Sequence, residues 1–150
     1  MAFIFVPFLW YIDIDMKLIN LKRKQVEDIE SRLEDYDEKY TRQDLEGIIQ
    51  IGIVDDNGKL IGGLDACITT FKILYVSTLF VDEEYRRKGY GRQMIEEMER
   101  RAKAMGVNTI RLDTFDWQGK EFYQALNYEV VGHYENKEDG YSEYFFLKRL

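Results

Sequence analysis

Hydrophobic positions alternate, then recur at helical spacing, then alternate again along these 150 residues, and each change of period marks an element. Lys17 to Leu21 alternates like a short strand, and Gln25 to Tyr36 sets Val26, Ile29 and Leu33 on one helical face. Residues 34–46 are charged and aperiodic, which predicts a further helical turn and a loop. Ile48 to Val54 and Leu60 to Thr70 flank Asp56-Asn57-Gly58 and predict a β-hairpin, with Asn-Gly supplying positive φ values at its turn. Gly62-Gly63 inside the second strand predicts a bulge or a close backbone approach. Phe71 to Val81 is apolar on both faces, as expected of a central strand.

The clearest helix runs from Arg92 to Met105, where Met94, Ile95, Met98, Ala102 and Met105 form an apolar stripe. Glu96–Arg100, Glu97–Arg101 and Glu99–Lys103 are i,i+4 pairs in the favourable orientation, and Gly106 ends the helix. A strand at Asn108 to Thr114, a short helix at Gln118 to Leu126 and strands at Tyr128 to Tyr134 and Ser142 to Leu147 complete the order. The pattern predicts an α/β (α+β) domain: a single mixed, mostly antiparallel sheet flanked by helices. Residues 17–150 make up this one domain, and residues 1–16 are an apolar N-terminal extension or a strand. The run Met1 to Ile12 is shorter than the ~20 residues of a membrane span and has no preceding Lys or Arg. Met16 could itself be an initiator.

Composition narrows the chemistry. One cysteine, Cys67, excludes an internal disulfide, and one histidine, His133, leaves too few soft ligands for a structural zinc site, so no metal is expected. Both read as packed side chains. The lone unpaired cysteine fits a cytoplasmic protein. The net charge of −7 argues against nucleic-acid binding, which needs a surplus of Lys and Arg. The charge is uneven: residues 82–111 carry eight basic and six acidic side chains, or +2, against 13 and 22, or −9, elsewhere. Within that window residues 86–92 hold four cations and no acid, which reads as a site for a small anion.

A helix start carries partial positive charge and should attract Asp and Glu, yet Arg86, Arg87, Lys88 and Arg92 surround this one. Gly89 and Gly91 remove Cβ atoms where backbone amides would approach an anion. Rules broken together at one place usually mark function. The stretch is neither a P-loop nor a dinucleotide fingerprint, since Gly58-Lys59 is followed by Leu60 and position 94 is Met.

Arg86-x-x-Gly89-x-Gly91 resembles motif A, [QR]-x-x-G-x-[GA], of the GNAT superfamily of acetyl-CoA-dependent N-acetyltransferases. The resemblance runs from about Ile48 to Arg149 and includes Leu79-Phe80-Val81, Asp113-Thr114, Phe122-Tyr123 and Tyr128-Glu129-Val130-Val131-Gly132. It implies a GNAT-like fold in which Leu79, Phe80 and Val81 hydrogen-bond the pantetheine arm like an added strand. Amides from Arg87 through Lys88, Gly89, Tyr90 and Gly91 to Arg92 would hold the pyrophosphate, with Arg86 heading the motif. A bulge splaying the central strand from its neighbour would open a thioester slot. Gln118 and Gly119 stand where the family has Asn and Ala, and Tyr123 matches the family's tyrosine.

The implied reaction transfers acetyl from acetyl-CoA to a primary amine by direct attack, with a backbone N–H stabilising the oxyanion and Tyr123 protonating the departing thiolate. The family's strand glutamate is missing, which leaves Asp113, Asp116 or a water as the base and an acetyl-CoA sensor without turnover as the alternative. The −9 balance favours a cationic acceptor, either a small amine or a lysine-like side chain. A third reading is an interaction protein whose aromatic C-terminal hairpin (Tyr134, Tyr141, Tyr144, Phe145, Phe146) packs on a partner, and a homodimer stays open.

Overall fold

The computed structural model describes residues 17–40 and 45–150. The apolar run at 1–12 and part of the charged loop expected within 34–46 fall outside them. Two compact units divide the chain, at residues 1–40 and 41–150.

In the first unit, Lys17 to Leu21 has no strand, because no neighbouring chain among the described residues supplies the ladder that an extended segment needs. The helix α1 spans Arg23–Asp37. Its N-terminus is closed by Lys22 N–H donating to Gln25 Oε1 at 2.9 Å, and the i,i+4 pairs Arg23–Glu27 and Arg32–Asp28 line its surface. The stripe of Val26, Ile29 and Leu33 is present, yet none of its residues is buried.

The second unit is one six-stranded mixed sheet. Strands β1 (Ile48–Val54), β2 (Leu60–Thr70) and β3 (Ile73–Val81) form an antiparallel meander. Helix α2 (Tyr90–Ala104) then crosses over to β4 (Thr109–Phe115), parallel to β3. The short α3 (Lys120–Gln124) precedes β5 (Glu129–Asn136) and β6 (Tyr141–Arg149), and β6 inserts between β4 and β5. The sheet order β1-β2-β3-β4-β6-β5 makes β3 central, as its two apolar faces predict.

Strand alternation decides which residues face α2. Leu74 and Val76 of β3, Ile110 and Leu112 of β4 and Phe146 of β6 join Met94, Ile95, Met98 and Ala102 of α2 in the core. Each such side chain contributes roughly 1.5–3 kcal/mol by leaving water. Phe146 is therefore core and not a docking aromatic.

Several local expectations change. At the β1–β2 turn only Gly58 has positive φ (+80°); Asn57 does not, because Asp55 Oδ1 accepts from the amides of Asn57 and Lys59 and stabilises a longer turn. A Cβ on Gly62 would lie 2.8 Å from the carbonyl oxygen of Phe80, so the close approach is real. On α2, Glu97 pairs with Arg101 as expected but also takes Arg100, which holds its carboxyl at about 2. Glu96 faces Arg92 instead. Glu99 turns from Lys103 toward the sheet, where Lys148 and the Tyr128 hydroxyl donate to it in a largely buried cluster. His133 is exposed and stacked on Tyr144, and Cys67 is half-buried; neither is a core residue.

Candidate active site

A one-residue irregularity in the β2–β3 ladder sets up the site. Asp65 pairs with Thr78 and Ala66 with Val76, so Ser77 is left over as a bulge. Its hydroxyl donates to Asp65 Oδ2 at 2.8 Å while Gln50 donates to Oδ1 at 2.9 Å, and these bonds, Gln50 first, hold the Asp65 carboxyl below its ordinary value. Pairing of β3 with β4 covers only Ile73–Thr109, Leu74–Ile110 and Tyr75–Arg111. Beyond Tyr75 the two strands have separated, which leaves the β4-facing edge of Val76 to Val81 without a strand partner.

The loop that follows continues this lack of partners. Asp82, Tyr85 and Arg86 amides donate to Ile61, Asp82 and Glu83 carbonyls. From Arg87 through Arg92, no amide has an acceptor among the described residues. Arg87 (φ +63°) and Gly89 (φ +87°) both adopt left-handed backbone, a conformation that anion-binding nests use. Gly89 caps α2 with no side-chain bond, and the first turn holds no acid.

A cleft of about 1090 Å³ occupies the gap between the splayed strands. Of the residues that the sequence assigns to the site, Leu79, Phe80, Val81, Arg86, Arg87, Gly89, Tyr90, Gly91, Arg92, Gln118 and Tyr123 line this cleft. Lys88 does not; its ammonium lies 5.0 Å over the Tyr85 ring. Arg86 lines the cleft, but its Nε donates to the Val81 carbonyl at 2.9 Å and its guanidinium covers Phe80, so it braces the loop.

The two glycines differ in their reasons. Gly89 is required by its positive φ, since a Cβ there would meet only the Gln93 side chain, at 4.0 Å. Gly91 leaves room for the Phe122 ring, 3.2 Å from where its Cβ would be, and not for an anion directly.

Tyr123 comes from α3, wedged among Phe122, Tyr128 and Phe146 with ring centroids 5.1–5.8 Å away. Gly119 admits this ring, since a Cβ there would lie 3.3 Å from it. Gln118 Oε1 accepts from the Phe115 amide at 3.0 Å and closes the turn before α3. Tyr123 is 8% exposed. Burial, then the charge of Asp113, pushes its pKa up to about 12.

Asp113 enters from the other face of the sheet, because Leu112 and Thr114 on either side of it point into the core. It accepts from the Tyr75 hydroxyl at 2.5 Å, and that bond is the main cause of a Tyr75 pKa of about 12. Asp116 instead accepts from the Ser142 amide at 3.1 Å and does not line the cleft. The sequence did not single out Tyr75, and it named Phe122 only beside Tyr123. Tyr75 and Asp113 are 38 residues apart, and only strand register brings them together.

A mixed sheet whose parallel pair splays open beside an uncapped helix start is the fold of N-acetyltransferases. The acetyltransferase (GNAT) family model matches residues 16–128, and the chain belongs to that family; it is an acetyltransferase enzyme. A crystal structure of an acetyltransferase from Bacillus cereus superposes with a TM-score of 0.85 at 31% identity over 91% of this chain and 99% of that one. Blasticidin-S acetyltransferase of Streptomyces morookaense is 29% identical over 63% of this chain and 70% of its own length. An aminoglycoside 6'-N-acetyltransferase solved with coenzyme A shares the fold, at a TM-score of 0.60 and 19% identity over 85% of each chain.

Among the described residues no group of three or more His, Cys, Asp or Glu is arranged to hold a metal, and no helix is long and apolar enough to cross a membrane.

Proposed function

We propose that this enzyme transfers the acetyl group of acetyl-CoA to a primary amine of a cationic small molecule or a lysine-like side chain. The observation that carries the reading is the unbroken series of unpartnered amides from Arg87 to Arg92, continuous with the open edge of β3 and ending beside Tyr123. That combination fits a pyrophosphate joined to an extended amide-bearing arm. Coenzyme A bound to the aminoglycoside acetyltransferase supports the choice of ligand. When bound, acetyl-CoA supplies an electrophilic carbonyl and a thiol leaving group.

This chain's residues do the rest. Leu79, Phe80 and Val81 present backbone donors and acceptors to the arm, and Arg87 and Arg92 add positive charge near the amides. Asp113, oriented by Tyr75, attracts the ammonium form of the acceptor and passes its proton to solvent, since Asp113 is exposed. With a carboxylate on β4 facing the cleft, the missing strand glutamate no longer favours a sensor without turnover. Tyr123, protonated throughout the physiological range, donates to the leaving sulfur. The names of the blasticidin-S and aminoglycoside enzymes favour a basic small-molecule acceptor. The acidic composition and single cysteine support the cytoplasm as its location.

Titration calorimetry with acetyl-CoA, followed by thiol release across an amine panel, tests the reading. Binding should weaken several-fold when salt rises about tenfold. Asp113→Asn should cut kcat/KM for cationic amines by about 10–100-fold at unchanged acetyl-CoA affinity. Preferential turnover of neutral or anionic amines would overturn the cationic acceptor, and no acetyl-CoA binding would overturn the site.

A further inference from the structure

An aromatic wall borders the same cleft, and the acetyl-transfer reading leaves it without a task. Phe115 lies on the Asp113 face of β4, by strand alternation. Its ring stacks on Trp117 with centroids 4.6 Å apart and planes 4° from parallel. Tyr141 meets both rings edge-on, at 5.5 Å from Phe115 and 6.1 Å from Trp117, and Tyr134 packs against Tyr141. The indole is thus clamped on one face and along an edge, yet 65% of Trp117 is exposed and it lines the cleft.

Tryptophan is usually well buried, and a large ring held rigid with an open face is a prepared surface: a ligand that stacks on it freezes no further side-chain rotation. The polar groups nearby select among flat ligands. Asp113 lines the cleft, and half-buried Glu143 pairs with Phe115 across the β4–β6 ladder on that same face. A ring against the indole with a short arm ending in an ammonium would meet apolar surface first and carboxylate next.

We infer that Trp117, backed by Phe115 and Tyr141, is the ring-binding wall of the acceptor site and selects amines that carry a flat aromatic or heteroaromatic group. The inference rests on the proposed amine acetylation, which fixes the other end of the acceptor at Asp113.

The test compares 2-phenylethylamine with 2-cyclohexylethylamine, which match in length and charge and differ in flatness. With acetyl-CoA saturating, the aromatic amine should show a KM about three- to tenfold lower, as one stacking contact allows. Trp117→Ala should erase most of that difference through KM, and Trp117→Phe should keep most of it. The tryptophan fluorescence that is lost in Trp117→Phe reports ring binding without turnover. Equal KM values in the wild type, or a Trp117→Ala variant that weakens acetyl-CoA instead of the amine, would overturn the wall. Quenching by the aromatic amine with no thiol release from any amine would sustain the wall and overturn the acetylation reading. Neither quenching nor release would overturn both.

Discussion

At the C-terminal end of α2 the local rules of helix construction are kept. Arg101 and Lys103 sit in the last turn, Gly106 takes φ +92°, and the amides of Met105, Gly106 and Val107 return to carbonyls of residues 101–103. At the N-terminal end they are broken together: no capping side chain, no acid, and a series of amides without acceptors beside Arg87 and Arg92. Both ends use a left-handed glycine, so conformation alone does not separate them. What separates them is whether the freed backbone groups find partners within the protein. The end that leaves them open is the end to which we assign the ligand, whereas the other end closes its backbone groups within the chain.

That contrast breaks most severely at Tyr123, beside the open end. Tyr123→Phe keeps the ring in its aromatic surroundings and removes only the hydroxyl that we propose as proton donor. The expected loss in kcat is about 10²–10⁴-fold, with acetyl-CoA affinity retained. Wild-type turnover under chemistry-limited conditions would remove the residue from the mechanism.

The next effect is on stability at high pH. Because the Tyr123 pKa lies near 12 in the folded chain and near 10 when unfolded, its contribution is complete below about pH 10 and is lost as pH rises through 12. Two pKa steps correspond to roughly 3 kcal/mol. Over that interval wild type should therefore lose stability relative to Tyr123→Phe, and parallel curves would contradict the burial argument.

At the packed side of α2, Glu99→Gln leaves Lys148 and Tyr128 with a poorer acceptor and should lower stability by about 2 kcal/mol. Urea midpoints measure the loss, and acetyl transfer by the folded variant should stay at the wild-type level. The smallest effects come from a matched pair. Gly89→Ala and Gly106→Ala each put a Cβ on left-handed backbone at a cost of about 1 kcal/mol. Calorimetry should find weaker acetyl-CoA binding only for Gly89→Ala. Equal affinity in the two variants would erase the distinction between the helix ends.

Much of this was legible from local pattern. The stripe of Met94, Ile95, Met98 and Ala102 announces α2 and its buried face, because helical spacing repeats within one turn. The glycine-punctuated cluster of cations announces the open helix end, because capping is decided within four residues. Lys17 to Leu21 shows the limit of the same method: alternation permits a strand, but only a partner edge makes one.

Tertiary structure decided what depends on register between distant segments. It turned Glu99 to Lys148 in place of Lys103 and separated Asp113 from Asp116 as cleft and scaffold. It also drew Arg86 into bracing Val81 and explained Gly91 by the Phe122 ring. The Tyr75–Asp113 bond spans 38 residues and exists because β3 and β4 run parallel for three pairs before separating. Hydrophobic period and capping act over a few residues and are written into the chain, whereas the opening between β3 and β4 goes with a bulge on β3 where it pairs with β2, and no local pattern carries that distance.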